Sequence, residues 1–387
     1  EPSCGVVYAP SQRSERNKLS TLGVDSRSTA TTILAVRALL ELQQDRDLSA
    51  EARKLLSFTD NRQDASLQAG HFNDFVQVAL LRSALHRATQ QRGSAGLRHG
   101  DLSRGVFDAM QLRFEDYAAD PEVRGPARAA TTDALRRVID YYLYRDLQRG
   151  WRVTAPNLED CGLLRFDYDG LVGADGLLAE EDLWSTGLTS QSATREDVFH
   201  PVPQALANSP LSVREEVIRT LLDVMRRGLA VKIDVLDPHK QHDLVELTKP
   251  RLLEGTVWYI EDAKELTKSE VVYPRPQQRQ DRSGLFISSY GAFGRYLKRV
   301  LAPYCEQGAK FGRDEVDEAI RFLLLALKRY GIVEQVRSGR GGDDAGYQIN
   351  PDALRWFPGD GRNRPVDRTR LLDEGEVPPE VNSYFVE

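Results

Sequence analysis

The run Leu55-Leu56-Ser57-Phe58-Thr59-Asp60-Asn61-Arg62-Gln63-Asp64-Ala65-Ser66 constrains this chain more than any other stretch. Arg53 and Lys54 lead into a short apolar segment of buried-strand type, which predicts a strand over 53–58. Thr59, Asp60 and Asn61 are turn and cap formers. From Asp64 the residues favour helix, and Phe72, Phe75, Val76, Ala79, Leu80 and Leu85 lay an apolar stripe along it to about residue 90. A buried strand, a tight polar turn and a long helix follow one another. In an open α/β sheet such a turn lies at the carboxyl end of a strand, where ligands bind.

Phe58-Thr59-Asp60-Asn61-Arg62-Gln63-Asp64-Ala65 resembles the strand-loop-helix that opens the second RecA-like domain of superfamily 2 DNA helicases. The resemblance is to the large bacterial DEAD/DEAH-type group, and Leu67 to Phe75 and Arg27 to Thr32 fit the same group. It implies an ATP-driven motor on DNA with magnesium as its ion. It also implies that Arg62 lies beside the nucleic-acid backbone, flanked by Asn61 and Gln63. Arg suits phosphate through its fixed fork of donors, and amides can donate to phosphate oxygens. The alternative for Arg62 is a salt bridge to Asp60 or Asp64. Asp60 and Asp64 read as caps of the helix N-terminus rather than as catalytic groups, and His71 reads as a helix residue.

The motor machinery itself is missing from the sequence. No G-x-x-x-x-G-K-[ST] phosphate loop is present, nor a convincing Asp-Glu pair for magnesium. Ser338-Gly339-Arg340-Gly341-Gly342 only echoes the arginine-finger segment, because it lacks the Gln and the second Arg. The expectation is an internal portion of a larger enzyme, beginning at Glu1 without Met. ATP and magnesium would then belong to the parent, the rest of the motor domain would be a partner, and this chain would not hydrolyse ATP. No catalytic, cofactor-binding or metal-ligating residue is assigned within it.

Charge is distributed unevenly. Residues 270–370 hold 18 basic and 13 acidic residues, so 18 − 13 = +5, whereas the first 269 hold 34 and 40, giving −6. Five acids and no base occupy the last 17 residues. A DNA-facing surface is therefore expected in the C-terminal third. No apolar run approaches the length of a membrane span. Cys4, Cys161 and Cys305 are scattered and odd in number, which argues for a reducing compartment and a cytoplasmic protein. Cys4-Gly5 with Tyr8 resembles half of a zinc knuckle, but one thiolate builds no zinc site. Asp167-Tyr168-Asp169-Gly170 lacks the spacing of a calcium loop and reads as a solvated turn.

The periodicity predicts a mainly α fold with minor β. Its parts are a linker and the partial RecA-like strand-loop-helix (1–95), a mainly helical insertion (96–274), a winged-helix-like domain (284–358) and an acidic tail (359–387). Helices are expected at Thr29–Leu42, Val106–Phe114, Ala127–Leu147, Ser212–Arg227, Tyr290–Ala302 and Gly312–Tyr330, with mixed or helical structure over 243–253 and 257–266. Strands are expected at Leu163–Tyr168, Val231–Leu236, Ile332–Val336 and Tyr347–Asn350, and a short helix after Pro351. Arg275 to Ser283 reads as a linker.

In the winged-helix-like region Arg295, Lys298 and Arg299 line the polar side of one helix. Lys328 and Arg329 end the next, and Arg337 and Arg340 sit in the wing. Asp314, Glu315, Asp317 and Glu318 crowd the start of the longer helix, which disfavours its insertion into a major groove. A clamp on the DNA backbone is expected instead. Two other readings stay open: a self-standing winged-helix regulator, and a helical scaffold for a partner protein.

Overall fold

The computed structural model describes residues 24–45, 47–49, 51–55, 62–148, 157–159, 161–191, 197–277, 284–306, 311–337 and 345–361. It is mainly helical with small sheets. Among the described residues no helix is long and apolar enough to cross a membrane.

Four helices come first: α1 (Val24–Gln44), α2 (Arg62–Arg92), α3 (His99–Met110) and α4 (Pro126–Arg145). On α2, Leu81, Ala84, Leu85 and Ala88 are buried at helical spacing and turn toward α3, which buries Leu102 and Val106. The approach is close because Ala88 faces Gly105, where an added Cβ would lie 3.8 Å away. Gly93 (φ 55°) stops α2, and Gly96 (φ 65°) turns the chain against Phe357, leaving no room for a side chain (2.8 Å to the ring). Pro126 opens α4 at its first turn. Arg82 of α2 grips Asp146, just past α4, through two hydrogen bonds of 2.8 and 3.0 Å.

The middle of the chain holds β1 (Leu164–Tyr168), α5 (Glu181–Ser185), the hairpin β2 (Gly187–Gln191) and β3 (Asp197–Pro201), α6 (Gln204–Ala207), α7 (Leu211–Arg227) and α8 (Gln241–Thr248). Next come β4 (Val272–Tyr273), β5 (Leu285–Phe286), α9 (Ala292–Leu301), α10 (Arg313–Arg329), β6 (Val333–Arg337), β7 (Ala345–Ile349) and β8 (Leu354–Pro358). One sheet has the order β5-β4-β7-β6, with β4–β7 and β7–β6 antiparallel and β4–β5 parallel. A second pairs β1 with β8 antiparallel, Phe166 opposite Trp356. Trp356 is 1 % exposed and meets Phe166 and Tyr144 edge-on at 4.8 and 5.6 Å. Its backbone also pairs with Leu97. A single buried cluster therefore runs from Leu81 to Trp356.

Most expected helices form, with shifted ends. The helix expected at Val106–Phe114 begins at His99 instead and stops at Met110, because Gln111 adopts a left-handed conformation (φ 55°). Val231–Leu236 is not a strand. Only Val231 bridges Ile349, after which the chain turns into a 3-10 turn at Asp234–Leu236. The stretch 257–266 carries only the 3-10 turn Ala263–Glu265. Pro351 opens one 3-10 turn and no longer helix, since the following backbone bonds to β1. Residues 53–55 are irregular, and the rest of the strand expected over 53–58 lies outside the described residues. Among the described residues no parallel sheet lies under α2; its neighbours are α1, α3, α4 and β8.

Arg226, in the last turn of α7, is 0 % exposed. Its guanidinium donates to both oxygens of Glu159 (2.6 and 2.9 Å), to Asp223 (3.3 Å) and to the Tyr168 hydroxyl (3.3 Å), and lies 3.9 Å over the Phe166 ring. Burial pushes the Glu159 carboxyl up despite the facing cation, and holds the Tyr168 phenol well above its ordinary value. Removing one partner strands a buried charge, which costs about 3–5 kcal/mol. Arg226→Met should lower unfolding stability by that amount in urea titrations. Adding Glu159→Gln should recover part of the loss, since it removes the orphaned carboxylate.

Candidate nucleic-acid interface

Helix α9 divides cleanly into two faces. Phe293, Tyr296, Leu297 and Leu301 are buried, facing α7 and α10, while Arg295, Lys298 and Arg299 are exposed. Positions 295, 298 and 299 are spaced by three and four residues, so the three cations share one stripe. Among the described residues none of them is ion-paired to a carboxylate. Arg295 donates to the Tyr290 carbonyl at 2.9 Å.

The inner face fixes this stripe in place. The Tyr296 hydroxyl reaches Thr220 (3.2 Å) and Glu216 (3.3 Å) on α7. Gly294 lies so close to the preceding loop that a Cβ would collide with the Ser288 carbonyl. Asp317 of α10 accepts from the Ser289 backbone N–H (2.6 Å) and hydroxyl (2.9 Å), which ties the entry of α9 to α10. The sequence showed the stripe but not this anchor, whose partners lie 28 residues apart.

The other expected contacts divide into three groups. Lys328 is half-buried and bonds the Gln335 side chain, and Arg329 pairs with Glu180 at 2.7 Å, so both cations of the α10 end are engaged internally. Arg337 ends β6, but its side chain lies outside the described residues, as does Arg340. Arg62 and Gln63 open α2 with side chains outside the described residues, and Asn61 lies outside them altogether. The acids of α10 stand where expected: Asp314, Glu315 and Glu318 are exposed, and Glu315 caps the Gly312 N–H.

Sequence reading missed Tyr290 and Arg313. The Tyr290 ring is 56 % exposed, and the Arg313 guanidinium sits 4.5 Å from its centroid and donates to its hydroxyl at 3.1 Å. Twenty-three residues separate them, so no local pattern announces the pair.

A cleft of about 510 Å³ opens elsewhere, between α3, α4, the 232–235 segment, β6 and the turn after β7. His99 enters it from α3; Asp133, Arg136, Arg137 and Asp140 from α4. Lys232 and Asp234 face them from the 232–235 segment, with Glu334 of β6 and Asp352 beyond. Much of this charge is internally compensated: Lys232 pairs with Glu334, Arg137 with Asp133 (3.6 Å) and Asp234 with Lys240 (2.7 Å). Asp140 Oδ1 and Arg136 Nε are sealed from solvent without a hydrogen-bond partner among the described residues. Desolvation pushes the Asp140 carboxyl up to about 7, against the pull of Ser103 and of Arg136 and Arg137. Burial likewise lowers His99, whose Nδ1 lies 3.1 Å from the Tyr144 hydroxyl. Among the described residues no group of three or more His, Cys, Asp or Glu could hold a metal ion.

Comparison with models of known protein families, with curated proteins and with solved structures finds no match to this chain.

The Asp140 carboxyl titrates higher in the folded state than its ordinary 3.8, so its contribution favours folding at low pH. That contribution falls as pH rises from about 4 to about 7 and is then constant, the total being at most about 4 kcal/mol. Asp140→Asn should therefore stabilise the chain at pH 8 and change little near pH 4, as read from urea unfolding at both values.

Proposed function

We propose that this chain is the nucleic-acid-binding portion of an ATP-dependent DNA helicase or translocase, gripping the DNA backbone rather than reading bases. The observation that carries the reading is the exposed stripe Arg295-Lys298-Arg299, without a carboxylate partner among the described residues, on a helix whose other face is fixed by packing. The resemblance of residues 58–65 to a motor segment supplies the helicase context.

The order of elements around the stripe supports a winged-helix-like module. β4, β5, α9, α10, β6 and β7 follow one another in a sheet of order β5-β4-β7-β6, where β4 and β6 both pair antiparallel with β7. That is a helix pair followed by two antiparallel strands, with α10 packed against β6; the expected wing, residues 338–344, lies between the strands and outside the described residues. In the common geometry the second helix enters the major groove. Here its exposed N-terminal turns carry Asp314, Glu315 and Glu318, which repel phosphate. The preceding helix, α9, carries three exposed cations that pair with no carboxylate among the described residues, so backbone contact is assigned to α9. The sequence holds no phosphate-loop string and no convincing Asp-Glu pair for magnesium. ATP and magnesium are accordingly assigned to the parent enzyme and to the remainder of its motor, with Asn61, Arg62 and Gln63 as the motor-side contacts.

Binding through phosphates releases counterions, so affinity falls steeply with salt, by a slope of about 0.9 per contact. Fluorescence anisotropy with a short labelled duplex should show this dependence. Changing Arg295, Lys298 and Arg299 together to Ala should reduce the log–log slope by about 2 to 3. An unchanged slope excludes α9 as the backbone contact. Arg62→Ala separates the motor reading from the self-standing regulator: the motor reading expects weaker binding, the regulator no change. No binding at low salt favours the scaffold.

A further inference from the structure

We propose that Tyr290, with Arg313 against its ring, is a stacking platform for an unpaired nucleobase, so that the α9 surface engages single-stranded DNA in a way it cannot engage a duplex. The inference rests on the reading of α9 as a nucleic-acid surface and adds the strand state of the substrate.

Four features of the site converge on this. Tyr290 is a large aromatic left 56 % exposed, although burying it would be favourable. It lies immediately before α9, at the end of the cationic stripe, and its own carbonyl accepts from Arg295. A strand whose phosphates follow Lys298, Arg299 and Arg295 would bring its next sugar and base to the ring. Arg313 lies over the ring and bonds the phenol oxygen, fixing the ring's orientation while placing a cation beside it. The loop beneath is also held. Ser289 is bonded twice to Asp317, and the Gly291 N–H donates to the Ser288 carbonyl at 3.0 Å. A ring already held in place loses little conformational freedom when a base stacks on it.

Aromatic rings beside a basic track suit single strands because every base offers a π-face, whatever its identity. In a duplex those faces are covered by neighbouring bases, and only phosphates and groove edges are presented. The platform therefore discriminates by strand state and not by sequence.

The test compares two fluorescein-labelled probes, an oligothymidylate of 15 nucleotides and a hairpin duplex, on the intact chain and on Tyr290→Ala and Tyr290→Phe. Loss of one stacked base costs single-strand affinity about fivefold or more. Tyr290→Ala should show that loss on oligothymidylate and less than a twofold change on the duplex. Tyr290→Phe, which keeps the ring, should stay within twofold of the unaltered chain on both. Equal weakening on both probes would overturn the proposal, because it would mean that Tyr290 acts only by positioning Arg313. So would no effect of Tyr290→Ala on oligothymidylate, or a Tyr290→Phe that behaves as Ala does. If Tyr290→Ala has no effect while the Arg295, Lys298 and Arg299 triple variant still loses binding, the platform fails and the α9 surface stands. If the unaltered chain binds neither probe, the α9 surface fails and the platform with it.

Discussion

A guanidinium with no exposure to water sits where three parts of this chain meet. Arg226 lies in the last turn of α7, Glu159 comes from the turn ahead of β1, and Tyr168 closes β1. A buried cation is tolerated only when its donors are matched, and here two carboxylates, a phenol and the Phe166 ring face surround it. The arrangement fixes the rotation of α7 about its own axis. A hydrophobic substitute of similar volume would fill the space without specifying that angle. Because β1 pairs with β8, and β8 bridges Leu97 in the connection between α2 and α3, the constraint also ties the N-terminal helices to the C-terminal strand β8.

The surface of interest inherits its geometry from that point. α7 presents Glu216 and Thr220 to the Tyr296 hydroxyl, so the angle of α7 sets the angle of α9. With Phe293, Leu297 and Leu301 buried, helical spacing leaves Arg295, Lys298 and Arg299 pointing outward. The neighbouring cations are used differently. Lys328 and Arg329 bond Gln335 and Glu180 and hold α10 to its surroundings. Arg313 lies against Tyr290. Similar side chains thus do structural work on one helix and face solvent on the next, which a count of basic residues would not reveal.

Features encoded within one turn of helix were legible in the sequence. The amphipathic patterns of α7, α9 and α10 and the two strands after α10 all follow from local spacing. The stripe on α9 was visible for the same reason. What could not be read depends on distant partners. Leu354–Pro358 is a strand only because β1 lies beside it, and Arg355 reaches Asp169 across 186 residues. Arg226 falls within the helix expected at Ser212–Arg227, but its enclosure by Glu159 depends on a partner 67 residues away. Asp140 acquires its raised carboxyl from burial in the folded chain, which no local sequence pattern announces. The strand expected at 53–58 falls largely outside the described residues, so the motor segment rests on its sequence alone.

The central claim is that nucleic acid lies along the outward face of α9. Amide hydrogen exchange, measured on the intact chain with and without a saturating single-stranded oligonucleotide at low salt, tests it directly. Slowed exchange is expected to concentrate in residues 288–301, with little change in α3 and α4. Protection confined to the α3–α4 cleft, or none at 288–301 under conditions where binding is saturated, would contradict it.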